Sequence, residues 1–346
     1  MMDTSRERLR LLVEQLEMVR GLLDGHSPVD AKVAIILLDN VADSLMYRRC
    51  LQEFEHDSEL AMIRRPRFAP AKQSEALWDF KTKVNLLNGI SFVSAEDAAV
   101  LKIGHSYRNA AYHRDSHNPR VTNELGRLLF AAVFSLFRSY YDNGVSSGGF
   151  APEQWLSKYG LRTDFISFKG VSTSIAAKLM EGITITFEEA KEAFQNDFTS
   201  RVEEIEREIK KLEIDDDADL DEGLKRAEFS EAHPHEQFSE TLRELNYRIV
   251  AGDTKSVDAR KYRAAQKSAK RKMEKELADF VPVCSVKLLK KLKSTTTLKS
   301  VKNVSSLLYA YQDLDLKLTK FEDSVEQLAI VLDRAIQREI DIRRGK

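Results

Sequence analysis

LGRLLFAAVFSLFRSY, residues 125–140, is the stretch on which the fold class turns. Leu125, Leu128, Leu129, Ala132, Val133, Leu136, Phe137 and Tyr140 recur at steps of three and four, the spacing that lines one face of an α-helix and that no strand produces. The stripe is unbroken and broad, so the helix it predicts is packed against others rather than lying on a surface. Asn143-Gly144 follows as a left-handed helix stop. Upstream, Asn118-Pro119 closes the preceding helix, because proline disfavours helical geometry in the residue before it.

The same periodicity repeats outward. Leu9, Leu12, Val13, Leu16, Val19, Leu22 and Leu23 predict a first helix ending at Gly25. Ser27-Pro28 starts a second, with the serine side chain as cap, and that helix carries Val33 to Phe54. RRPRFAP, residues 64–70, interrupts the pattern, and a third helix carries Leu77, Phe80, Val84 and Leu87 to a stop near Gly89. Ser94 to Asp97 reads as a capping box with Asp in the acceptor position, opening a fourth helix. With SSGG at 146–149 as a linker, residues 1–145 are read as one helical bundle, 146–185 as linker and short connecting elements, and 186–346 as a second helical region.

That second region is patterned differently. Thr186 to Glu189 is a capping box, and IDDDADLDEG, residues 214–223, reads as an acidic loop or exposed turn. Residues 203–231 carry thirteen acids against five bases, and residues 254–303 fifteen bases against four acids. The basic run holds few aromatics, which argues for a solvated helix face or pairing with the acidic segment over a single-strand stacking platform. From Val304 through Leu307, Tyr311, Leu314, Leu318, Phe321, Val325, Leu328 and Leu332 to Ala335, alternating steps predict a long coiled-coil-like C-terminal helix. Leu308, Ala329, Val331 and Ile336 widen its stripe and favour a bundle helix.

Composition agrees with an all-α chain. The 346 residues include only 14 Gly and 7 Pro, and 32% are charged, while aromatic and β-branched residues do not gather in alternating runs. The net charge of -1 excludes no class of partner. Cys50 and Cys284 are the only cysteines and lie far apart, so neither a disulfide framework nor a thiolate metal site is expected, which fits a reducing cytoplasm. No apolar run is long enough to span a bilayer and no leader is read at the N-terminus, so no membrane partner and a cytoplasmic location are expected.

Chemistry concentrates in HSYRNAAYHRDSH, residues 105–117, which holds three of the seven histidines. On a helix His105, Asn109, His113 and His117 stack a turn apart on a slowly drifting face. Arg108 sits about 140° around the helix from His113, within reach of a flexible guanidinium bending across the helix end. A guanidinium grips phosphate through two parallel N–H bonds, and an imidazole takes and returns a proton near neutrality. The bland alternative is an exposed helix with a solvated polar face. A second alternative is a zinc half-site at His113 and His117, for which no third ligand is evident.

Arg108-Asn109-Ala110-Ala111-Tyr112-His113 resembles the motif of the HEPN superfamily: an arginine, a polar residue directly after it and a histidine a few positions on. Arg-to-His pairs at similar spacing occur at Arg20 and His26, Arg49 and His56, and Arg226 and His233, but Gly21, Cys50 and Ala227 stand where the polar residue belongs. The resemblance covers roughly residues 28–145 and implies a HEPN-like helical bundle with the motif on the helix before the final long one. It further implies a metal-independent endoribonuclease with no cofactor, working as a homodimer whose two motifs face one cleft, in a toxin or antiphage defence context.

Under that resemblance Arg108 stabilises the phosphate, His113 transfers protons and Asn109 holds the site in shape, while Tyr112, Arg114 and His117 contact the RNA substrate. The 2'-hydroxyl is the nucleophile. An antitoxin or trigger partner is expected on the C-terminal helices. Family members controlled by nucleotidylation carry a tyrosine two places after the histidine, where this chain has Asp115. The alternative function is a HEPN-like interaction or RNA-binding module that does not cut.

Overall fold

The computed structural model describes residues 4–25, 27–62, 64–111, 119–142, 154–161, 168–183, 186–214, 216–232, 277 and 282–344. Among these the fold is all-α, about 85% helical with no strand. The chain divides into two compact units: Met1–Asp197 with Thr297–Gln312, and Phe198–Thr296 with Asp313–Lys346.

The first unit opens with α1 (Thr4–Asp24) and α2 (Pro28–Glu59), followed by a 3₁₀ turn at Leu60–Met62. Ser27 holds the extended geometry of a cap, but its side chain makes no capping bond, and the start of α2 rests on Pro28 in the first turn. Beyond it come α3 (Pro70–Trp78), α4 (Phe80–Gly89), α5 (Ala95–Ala111) and α6 (Pro119–Asp142). The single helix read across Leu77 to Leu87 is therefore two helices. Asp79 takes extended geometry between them and caps α4 by accepting from the Thr82 backbone N–H at 2.6 Å. Ser94 caps α5, accepting from the Asp97 N–H at 3.0 Å and donating its own hydroxyl to the Asp97 carboxylate at 2.9 Å. The stop read at Asn143-Gly144 and the linker at 146–149 lie outside the described residues.

The α6 stripe is the centre of this unit. Phe130 and Phe137 are fully buried, and α6 packs on α2, on α5 and on α8 (Phe168–Met180), which follows the short α7 (Gln154–Ser157). Two glycines set how closely the helices approach. A Cβ at Gly126 in α6 would lie 2.8 Å from Leu23 in α1, and one at Gly104 in α5 would lie 2.9 Å from both methyls of Leu129 in α6. Gly104→Ala is accordingly expected to overpack a tight seam at a cost of about 1–3 kcal/mol, offset by about 1 kcal/mol of helix propensity. Thermal unfolding should show a midpoint lowered by a few degrees.

Buried charge is neutralised locally. The Asp57 carboxylate accepts from the backbone N–H groups of Arg67 (2.7 Å) and Phe68 (3.1 Å). The first of these bonds does most to hold its carboxyl below the ordinary range. The carboxylate thus ties the RRPRF segment to the end of α2. A carboxyl with a lowered folded-state value stabilises the fold above its unfolded value of roughly 4 and loses that contribution as pH falls through the folded value. The acid limb of stability should therefore weaken in Asp57→Asn, measured by denaturant midpoints across the acidic range.

In the second unit, α9 (Phe187–Lys211) contributes its residues from Phe198 onward, α10 spans Asp217–Ala232, and α11 spans Val286–Lys293. The short α12 (Thr297–Ser300) and the first part of α13, which runs from Val304 to Arg343, belong to the first unit as far as Gln312, and the rest of α13 to the second. The capping box read at the start of α9 is present. The Glu189 N–H donates to the Thr186 hydroxyl (3.2 Å) and the Thr186 N–H to the Glu189 carboxylate (3.1 Å). The acidic loop read at 214–223 is instead helical from Asp217. Asp216 accepts from the Ala218 N–H at 2.7 Å, and Asp217 and Asp219 occupy the first turn, where the positive end of the helix dipole favours carboxylates.

Pairing of the basic run with the acidic segment is seen at Lys290 to Asp217 (2.6 Å) and Lys293 to Glu206 (2.8 Å). Arg201 is gripped by Glu322 (2.7 Å) and Asp315 (2.5 Å); burial opposes its charge, and these partners more than offset that. Cys50 and Cys284 are both buried free thiols, and burial pushes each up to about 12, far from the thiolate form that reacts or binds metal. No helix among the described residues is long and apolar enough to cross a membrane.

Candidate functional site

The capped helix α5 turns Leu101 and Gly104 toward the core and carries His105, Arg108 and Asn109 on a neighbouring polar face. Two other helices reach this face. From α2 comes Asp39, 4% exposed within the apolar run AIILLDNV. From α4 comes Phe80, whose ring lies flat on the His105 imidazole with centroids 4.0 Å apart and planes 7° from parallel.

Asp39 is the hub. Its carboxylate oxygens lie 3.0 and 3.2 Å from His105 Nδ1, and one lies 3.6 Å from Arg108 Nε. Arg108 Nη1 donates to the Asn109 side-chain oxygen at 3.0 Å, and the Asn109 amide nitrogen lies 3.4 Å from His105 Nε2. With its proton on Nδ1, His105 donates to Asp39 and accepts from the Asn109 amide through Nε2. His105 is thereby engaged at both nitrogens, and its work is to orient its neighbours. Hydrogen bonds from the Thr82 side chain and then its backbone hold Asp79 below the ordinary carboxylate range.

Arg108 and Asn109 are therefore brought together with His105, Arg108 partly open to solvent and Asn109 exposed. Tyr112, His113, Arg114 and His117 fall in 112–118, outside the described residues. Among the described residues no group of three or more metal-binding side chains occurs.

Two of the other Arg-to-His arginines have structural work. Arg20 donates to the backbone carbonyls of Lys178 (3.0 Å) and Glu181 (2.8 Å) at the end of α8, and Arg49 pairs with Glu53 and lies over the Phe92 ring at 4.6 Å.

Sequence reasoning missed Asp39 and Phe80. A signal for Asp39 was present: one acid between Leu38 and Val41 in an otherwise apolar stripe must find a partner, since an isolated buried carboxylate is too costly. Compared with protein-family models, curated proteins and solved structures, the chain matches none.

Proposed function

We propose that the chain is an endoribonuclease of HEPN type that cleaves RNA without a metal, Arg108 holding the scissile phosphate and His113 moving protons. The observation that supports this is the buried Asp39 carboxylate beside Arg108 and His105, an arrangement a solvated helix face has no need of. A charge held by a fixed partner keeps its geometry through the reaction, and that preorganisation is what stabilises a developing phosphorane. Because Asp39 cancels much of the Arg108 charge, the cationic surplus that draws RNA to the site is assigned to Arg114 and the histidines His113 and His117, with Tyr112 as a stacking surface.

In the reaction the 2'-oxygen bonds to phosphorus as its proton passes to an imidazole. The phosphorus–5'-oxygen bond breaks, and the leaving oxygen takes a proton from a second imidazole. The products are a 2',3'-cyclic phosphate and a 5'-hydroxyl. Two copies of the chain facing one cleft supply both imidazoles, which makes the homodimer part of the mechanism. Asp39 acts as a positioning residue.

The test is purified full-length protein with total RNA in excess chelator. Cleavage that persists in chelator and is lost in Arg108→Ala and in His113→Ala supports the enzyme. Activity that chelator removes returns the metal reading at His113 and His117, and RNA retention without cleavage returns the binding module. Asp39→Asn is expected to lower kcat about a hundredfold with little change in KM, the pattern of misplaced catalytic geometry.

A further inference from the structure

The last helix outruns its cover. Along α13 the apolar stripe is buried at Leu318, Phe321, Val325 and Leu328, and it continues through Ala329, Leu332, Ile336 and Ile340, where the burial is lost. Ile336 is 56% exposed. At 100° per residue, Ala329, Leu332, Ile336 and Ile340 fall within an arc of about 80°, so they form one face along about 20 Å of helix. Where the cover ends, a cavity of about 500 Å³ opens between the end of α9 and α13. Ile205, Leu212 and Val325 line it together with the carboxylates of Glu208 and Glu326. The far end of α13 is basic, with Arg343 and Arg344 in succession.

We propose that this face binds a second copy of the same chain, the two α13 helices running antiparallel. The apolar positions are self-complementary in that direction. With Leu332 opposite Ile336 of the second copy, Ile340 comes within one residue of the position facing its Ala329, and Glu326 within two residues of the position facing its Arg344. Each pairing occurs twice about the two-fold axis. Glu326 and Arg344 both project on the same flank of the apolar arc, and both are exposed. Antiparallel helices bring like flanks together, whereas parallel helices join opposite flanks, so only the antiparallel arrangement unites these charges. The basic end of each helix then reaches the acidic cavity of the other. A contact of this length is smaller than the roughly 1,600 Å² of a standard interface and belongs to the size class of transient contacts.

Sedimentation equilibrium of the full chain without RNA, over about 1–100 μM, tests this independently of cleavage. The wild type should show a concentration-dependent association step. Leu332→Asp with Ile336→Asp, both at the open face, should raise its dissociation constant at least about tenfold with an unchanged circular dichroism spectrum. Glu326→Lys and Arg344→Glu should each weaken it, and the two together should restore it. A wild type that stays monomeric throughout overturns the proposal. An association step indifferent to the Leu332 and Ile336 changes, or a charge-exchanged pair that restores nothing, does so equally.

Discussion

Arg108→Ala is expected to slow RNA cleavage about a thousandfold while leaving the helical bundle folded. Removing one preorganised donor from a developing oxyanion costs about a hundredfold to a thousandfold, and a charged fork that grips two phosphate oxygens sits at the upper end of that range. The fold survives because Asp39 keeps His105 Nδ1 within 3.2 Å of both carboxylate oxygens after the guanidinium has gone. Arg108→Lys keeps the charge and loses the fork, so it should recover only part of the rate. A quenched fluorescent oligoribonucleotide in chelator reports the rate, and circular dichroism reports the fold. Wild-type cleavage by Arg108→Ala would remove this residue from the mechanism.

Phe137→Ala is expected to cost about 3–5 kcal/mol, the largest stability change of any single substitution considered. Its ring is fully buried in α6, between Phe134 at 6.0 Å and Tyr141 at 4.9 Å. Truncation both forfeits transfer energy and leaves a hole that the fully buried Phe130 and Val133 beside it on α6 cannot collapse to fill. Domains of this kind are stable by about 5–15 kcal/mol, so a large share of the total is at stake. The urea midpoint should fall steeply with the slope of the transition unchanged; a midpoint within error of wild type would mean that α6 is not the central helix of its unit.

The helices were legible where periodicity and chemistry agreed. The α6 stripe, the long run of α13 and the caps at Ser94 and Thr186 all appear as their residues indicate. The break at Asp79 was hidden because Leu77, Phe80, Val84 and Leu87 keep helical spacing straight across it, and only Asp followed three places on by Thr82 marked a new start. The acidic run misled for a different reason. Like charges suggest a solvated loop, yet the same carboxylates are favoured at a helix N-terminus, which is where Asp217 and Asp219 stand.

At the candidate site, Arg108 and Asn109 could be read from local spacing, being neighbours on one helix. Asp39 lies 66 residues from His105, and no local pattern joins them. Tertiary packing of α2 on α5 does so.

The two thiols give the molecule a practical property. Cys50 and Cys284 are enclosed and held in the protonated form at neutral pH, so alkylating reagents should pass over both. A cysteine introduced at an open position such as Ile336 would then be the sole group to take a maleimide spin label, in an otherwise native background. Distances between the labels of paired copies become directly measurable.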